Sequence, residues 1–126
     1  MDTNLIVETD LTKGQNIAAI KKLLALKEIL TAVVTFNDYV ALDAIRYTMD
    51  AGHKINKDIY FTSYANLPIT SYLDYPPIAS VEQFPRQQAE KATDILFTLI
   101  AAKDSPEGIK NKILLEGKLI VNQKNR

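Results

Sequence analysis

Residues 32–52 read Ala32-Val33-Val34-Thr35-Phe36-Asn37-Asp38-Tyr39-Val40-Ala41-Leu42-Asp43-Ala44-Ile45-Arg46-Tyr47-Thr48-Met49-Asp50-Ala51-Gly52, and this stretch decides the fold class. Its first five residues are a nearly continuous apolar run, of the kind found in a strand buried on both faces. Asn37 and Asp38 follow at once, and short polar side chains there cap a helix by accepting hydrogen bonds from its first free amides. From Asp38 to Ala51 the residues Ala41, Ala44, Ile45 and Thr48 recur on one stripe, and Gly52 stands where a helix-ending glycine belongs. A strand running directly into a capped helix is half of a β-α-β unit.

Working outward, Ile59-Tyr60-Phe61-Thr62 supplies the next strand after the polar connection Lys54 to Lys57, and Tyr60 is expected in the core. Upstream, Leu5 to Thr9 reads as a strand, and Ile17, Ile20 and Leu24 predict a helix over residues 14–27. Downstream, residues 66–77 contain Pro68, Asp74 and the Pro76-Pro77 pair, which predict an ordered loop rather than a helix. Ile78 to Val81 is a further strand, and Pro85 opens a long helix reaching Ala102 with Ala89, Ala92, Leu96 and Leu99 on its main stripe. Asp104 to Gly108 break that helix. By periodicity alone, Ile113 to Leu115 and Leu119 to Val121 form a hairpin around Glu116-Gly117. Strands alternating with helices imply right-handed crossovers, so the expected fold class is α/β, a mainly parallel sheet flanked by helices.

Composition narrows the function. The 126 residues are one domain's worth, and 47% hydrophobic content is ordinary for a chain with its own core. Lys plus Arg equals Asp plus Glu at 15 each, so no net field draws the chain to nucleic acid or an anionic membrane. Without cysteine there are no disulfides, thiolate zinc sites or cysteine nucleophiles. The single histidine, His53, sits beside Gly52 and reads as an exposed loop residue, so no metal site and no Ser-His hydrolase are expected. Gly14, Gly52, Gly108 and Gly117 are isolated and form no phosphate loop, and no cofactor is implied. Asp38, Asp43 and Asp50 share a helix, but a spacing of five does not put the first two on one face. Met1 to Asn4 lack a basic signal-peptide start, and Ile17 to Leu30 and Ile95 to Ala102 are too short or too charged to span a bilayer. A cytoplasmic location without a membrane partner follows.

In open parallel sheets ligands bind beyond the carboxyl ends of the strands. That rule selects Asp10-Leu11, Asn37-Asp38, Tyr64-Ala65-Asn66 and Glu82-Gln83, mostly amides and carboxylates suited to hydroxyl- or amide-rich small molecules rather than phosphates. Asp38 is adequately explained as a helix cap, and Asn37 is then left over, because capping needs only one of the two. The loop holding Leu67, Ile69, Tyr72, Leu73 and Tyr75 is too apolar to face solvent throughout; it packs on its own sheet or forms a subunit interface. The helix from Pro85 also carries Ile95, Phe97 and Ile100 off its main stripe, and a helix apolar on two sides is usually buried on two sides.

Thr35-Phe36-Asn37-Asp38-Tyr39-Val40-Ala41-Leu42-Asp43-Ala44-Ile45-Arg46, then Ala51-Gly52, resembles the effector-domain signature of LacI-type (lac repressor family) bacterial transcription regulators. The spacing to Asp58 to Tyr64, to Pro76-Pro77-Ile78-Ala79-Ser80-Val81-Glu82-Gln83 and to Leu119-Ile120-Val121 matches as well, so the resemblance covers essentially the whole chain. It implies a partial type I periplasmic-binding-protein-like fold, two α/β lobes around a cleft, with residues 1–83 from the C-terminal lobe. Residues 84–126 would be a helix and a crossing strand of the region between the lobes and of the N-terminal lobe. The crossing is then preferred over the hairpin for residues 113–121. The headpiece that reads DNA, most of the N-terminal lobe and the first strand and helix of the C-terminal lobe would lie outside this sequence.

The same resemblance implies a binding protein, not an enzyme: a sensing and dimerisation portion for a small-molecule effector, sugar-like or of unknown class. Effector binding would fall to Asn37, Asp38, Gln83, Ala65, Leu11 and Asp10. Asn37 matches a residue that hydrogen-bonds sugar hydroxyls, and Gln83 matches another cleft position. Ala65 replaces a usual effector-binding aspartate, Ser63 a usual glycine, and Leu11 a stacking aromatic, which together remove much of ordinary monosaccharide recognition. A homodimer or higher self-association would use Ala41, Leu42, Ile45, Ile69 and Tyr72, and operator DNA would be reached only through the headpiece. Two alternatives are a fragment of a periplasmic-type solute (sugar) binding protein, which needs an export signal, and a small flavodoxin-like enzyme, which needs a phosphate loop or catalytic constellation.

Overall fold

The computed structural model of the chain describes residues 2–28, 30–101 and 112–122. They contain helices α1 (Lys13–Leu24), α2 (Asp38–Asp50) and α3 (Pro85–Ala101), strands β1 (Ala32–Val34), β2 (Tyr60–Tyr64), β3 (Ala79–Glu82) and β4 (Lys118–Val121), and 3-10 turns at Thr3–Leu5 and Pro68–Tyr72. They divide into two compact units, one within residues 1–82 and 119–126, the other within 83–118.

The sheet runs in the order β1-β2-β3-β4. β1 and β3 both pair with β2 in parallel, Val33 opposite Phe61 and Ser63 opposite Ser80. β4 lies beside β3, and just past it the Asn122 amide N–H donates to the Ile78 carbonyl at 2.8 Å. The α/β class with a mainly parallel sheet is therefore observed.

α1 and α2 pack together over the face of β1 and β2 that presents Val33 and Phe61. The core joins Ile20 of α1, Ala41, Ala44 and Ile45 of α2, and Ile55, Ile59 and Phe61. Burying a side chain the size of Phe61 contributes about 1.5–3 kcal/mol. At the N-terminus of α2, Asn37 Oδ1 accepts from the Val40 amide at 3.0 Å. At its C-terminus Gly52, with φ of 91°, donates to Met49 while His53 donates to Thr48, so the last carbonyls are satisfied by the left-handed turn that only glycine adopts cheaply. α1 is capped by the Thr12 hydroxyl on Gln15 and ends at Leu24 rather than residue 27, where the chain turns at Ala25.

Three expectations need correcting, and the hairpin, already set aside for the crossing, is not seen. Leu5 to Thr9 is not a strand: Thr3–Leu5 form a 3-10 turn capped by Asp2, and the residues beyond it enter no ladder, without which extended backbone is not a strand. β1 is covered on one face only, since Val34 is 72% exposed while Val33 is buried. Tyr60, on that same bare face, is exposed rather than core. Residues 113–115 lie outside any strand, so the hairpin does not form; β4 begins at Lys118 and pairs with β3. Ala102 and the break at Asp104 to Gly108 lie outside the described residues.

In the second unit, α3 begins at Pro85 directly after Phe84, whose φ is 51° and whose carbonyl accepts from the Gln88 amide. None of its residues is buried, and Leu96, Phe97 and Ile100 are each more than half exposed.

Candidate functional site

Because β1 and β2 are parallel neighbours, their carboxyl ends share one edge of the sheet. Asn37 stands there, half-buried, at the entrance to α2. Its Oδ1 is committed to the helix cap, while among the described residues its Nδ2 meets no acceptor. It is thus both a structural cap and an available donor.

Asp38 has a different position. It is fully buried, and all its hydrogen-bond partners are donors. Oδ1 accepts from the hydroxyls of Ser63 and Ser80, the latter at 3.0 Å, and Oδ2 accepts from the Leu67 amide at 2.5 Å. The capping role goes to Asn37, and Asp38 ties α2 to β2, β3 and the loop beyond β2. A buried carboxylate needs such donors to offset its lost hydration.

Past β2, Ala65 and Asn66 adopt φ of 96° and 50°. For a residue with a Cβ this region costs roughly 1–2 kcal/mol, with asparagine tolerating it better than alanine. Three successive amides hold the turn: Ala65 N–H to the Val81 carbonyl, Asn66 N–H to Ser80 Oγ, both at 3.0 Å, and Leu67 N–H to Asp38. Asn66 Nδ2 also donates to Glu82 at 3.0 Å. Backbone held in sparsely populated conformations tends to mark functional sites.

Asp10 and Leu11 sit in a second such turn. Leu11 has φ of 68°, is half exposed, and donates to the Thr9 hydroxyl, which in turn donates to buried Asn16 at 2.7 Å. Asn16 reaches α2 through Asp43 at 2.8 Å, so this loop is anchored to the same helix as Asn37. The hydroxyl of Thr12 and then its backbone N–H donate to Asp10 and hold its carboxyl below the usual carboxylate range. Gln83 belongs to the other unit, where its carbonyl accepts from Gln88 Nε2.

The structure therefore brings Asn37, Asp38 and Ala65 together at one sheet edge. It does not put Ala41 and Ile45 on a subunit face: both are buried in the chain's own core, because the α2 stripe faces β1, β2 and α1. Leu42 is half-buried, and on the loop Ile69 is 45% and Tyr72 83% exposed. A groove of about 480 Å³ beside that loop is lined by Asn66, Leu67, Ser71, Glu82, Val121 and Asn122, among others. Sequence reasoning missed Ser80 and Asn16 and gave Ser63 no partner. A buried hydroxyl or amide within an apolar element needs a hydrogen-bonding partner, and that signal was available. The groove had none, since Val121 and Asn122 reach it only through β4 pairing with β3.

Among the described residues no cluster of three or more His, Asp or Glu side chains could hold a metal ion, and no helix is long and apolar enough to cross a membrane.

Residues 3–123 match the family described as a periplasmic binding protein-like domain. The chain is 27% identical over 120 residues to the HTH-type transcriptional regulator MalR of Clostridium butyricum, covering 95% of this chain and 34% of that protein. It is 31% identical over 103 residues to the HTH-type transcriptional repressor PurR of Vibrio atlanticus, covering 82% and 30% respectively. Among solved structures, it superposes on the complex of the transcriptional regulator CelR with cellobiose at a TM-score of 0.85 and 22% identity, covering 96% of this chain and 36% of that one. The chain thus spans about a third of the length of these relatives. It belongs to the periplasmic binding protein-like domain family, in the form carried by the effector-binding part of LacI-type transcriptional regulators.

Proposed function

We propose that this chain is the small-molecule-sensing and dimerisation portion of a bacterial transcriptional regulator that works in the cytoplasm by binding, without turnover. The observation carrying the reading is the sheet edge where Asn37 offers its amide donor next to the left-handed turn at Ala65 and Asn66. Asn37, Ala65, Leu11 and Asp10 contact the effector. Asp38 acts behind them, its oxygens being already used. The relatives' description as HTH-type regulators favours regulation over solute transport. CelR holds cellobiose, which supports a sugar-like effector here. Ala65 and Leu11 offer neither a carboxylate nor a flat ring, so the effector is not a simple pentose or hexose. Self-association uses the exposed loop residues Ile69 and Tyr72 with Leu42. Closure on the effector then changes how paired headpieces sit on operator DNA, by favouring one of two lobe arrangements.

The test is calorimetric titration of the protein with cellobiose, glucose and ribose, repeated on Asn37→Asp and Asn37→Ala. Aspartate keeps the cap and removes the amide donor, so affinity falls about tenfold with the melting temperature unchanged. Alanine loses both. Tight binding of ribose or glucose, abolished by Asn37→Ala, would contradict the reading of the effector's class. Unchanged affinity in Asn37→Asp removes Asn37 from the site.

A further inference from the structure

We propose that Asp38 is a positioning residue that latches the loop after β2 to the start of α2, so that Ala65 at the sheet edge and Ile69 and Tyr72 on the outer loop move together. The proposal rests on the preceding reading for what the loop does, and on hydrogen bonds alone for the latch.

The two carboxylate oxygens of Asp38 serve different parts of the molecule. Oδ1 takes the hydroxyls of Ser63 on β2 and Ser80 on β3, which fixes the carboxylate to the sheet. Oδ2 takes the Leu67 amide, the first residue after the left-handed pair Ala65 and Asn66. Ser80 is a relay, because its Oγ also accepts the Asn66 amide. Two of three successive loop amides thus end directly or through one hydroxyl on Asp38. Left-handed backbone at an alanine persists only where its surroundings over-determine it, and these bonds are what over-determines it. The 3-10 turn Pro68–Tyr72, which carries Ile69 and Tyr72, starts at the residue after Leu67. Asn37, the donor at the sheet edge, is covalently next to Asp38. An effector that displaces Asn37 or Ala65 therefore shifts the latch, and with it the loop.

The experiment follows individual amide exchange by NMR and self-association by sedimentation in wild type, Asp38→Asn and Ser80→Ala, all as the 126-residue chain. Asp38→Asn leaves one acceptor oxygen where the carboxylate has two, so its NH₂ faces either the Leu67 N–H or the Ser63 and Ser80 hydroxyls. Leu67 and Asn66 amide protection should fall about tenfold, with protection at Ala44 in α2 retained and the self-association constant weakened about tenfold. A side chain that only stabilises the unit would lower Ala44 and Leu67 protection together. Should Asp38→Asn do so, Ser80→Ala decides, since it keeps the carboxylate and removes one donor; loosening confined to Asn66 and Leu67 upholds the latch, and none overturns it. Unchanged protection of both Leu67 and Asn66 in Asp38→Asn overturns it as well. Loop loosening with unchanged self-association overturns the coupling. A wild-type chain that stays monomeric instead refutes the subunit-face part of the preceding reading, and the latch is then judged on exchange alone.

Discussion

α2 and α3 are both amphipathic, of 13 and 17 residues, and they differ in what surrounds them. α2 buries Val40, Ala41, Ala44, Ile45 and Thr48, and closes its ends with Asn37 and Gly52. α3 has a proline at its start and a wide apolar arc, yet none of its residues is buried. Intrinsic propensity alone leaves a helix of this length marginal in water, and most helical stability in proteins comes from packing an apolar face. α2 is therefore stabilised by its neighbours, whereas α3 presents apolar surface of the kind that associates with other surfaces.

The sharpest way to break the contrast is to remove the floor under α2. Phe61→Ala should cost about 3–5 kcal/mol in urea unfolding of the sheet unit, because the side chain is fully buried at the centre of the α1-α2-β2 core. A loss under about 1 kcal/mol would mean that α2 does not depend on that floor. Gly52→Ala probes the end of the same helix. An added Cβ meets nothing within 4 Å, so the cost is conformational, about 1–2 kcal/mol from φ of 91°, and thermal unfolding measures it. The smallest effect on stability belongs to α3. Leu96→Ser combined with Ile100→Ser should leave unfolding of the sheet unit within about 0.5 kcal/mol, since both side chains are exposed. A large stability loss from this pair would show that α3 contributes to the folded unit as α2 does.

What could be read from residues alone divides along the same line. The α2 stripe and Gly52 are local signals, and both lie where the pattern puts them, while the cap expected of Asp38 is made by Asn37. Leu5 to Thr9 has strand-like composition, but a strand is a relation between two segments, and among the described residues none pairs with it. The α2 stripe was legible as apolar, though not which surface it meets; Ala41 and Ile45 turned inward rather than toward a partner. At the sheet edge, Asn37 and Ala65 followed from the rule about strand ends. The division of labour between Asn37 and Asp38 did not follow, because it depends on Ser63, Ser80 and Leu67, which lie 25, 42 and 29 residues away from Asp38.

Adjacent positions 37 and 38 consequently face opposite pressures as the sequence drifts. A cap at position 37 needs one short acceptor, and serine, threonine or aspartate can each supply it. Position 38 is closed: serine and asparagine cannot offer two acceptor oxygens there, glutamate adds a methylene to a fully buried side chain, and alanine strands two hydroxyls and an amide. The half-buried neighbour is thus free to vary while the hidden one is held, so that changes at position 37 do not require rebuilding the sheet edge on which it stands.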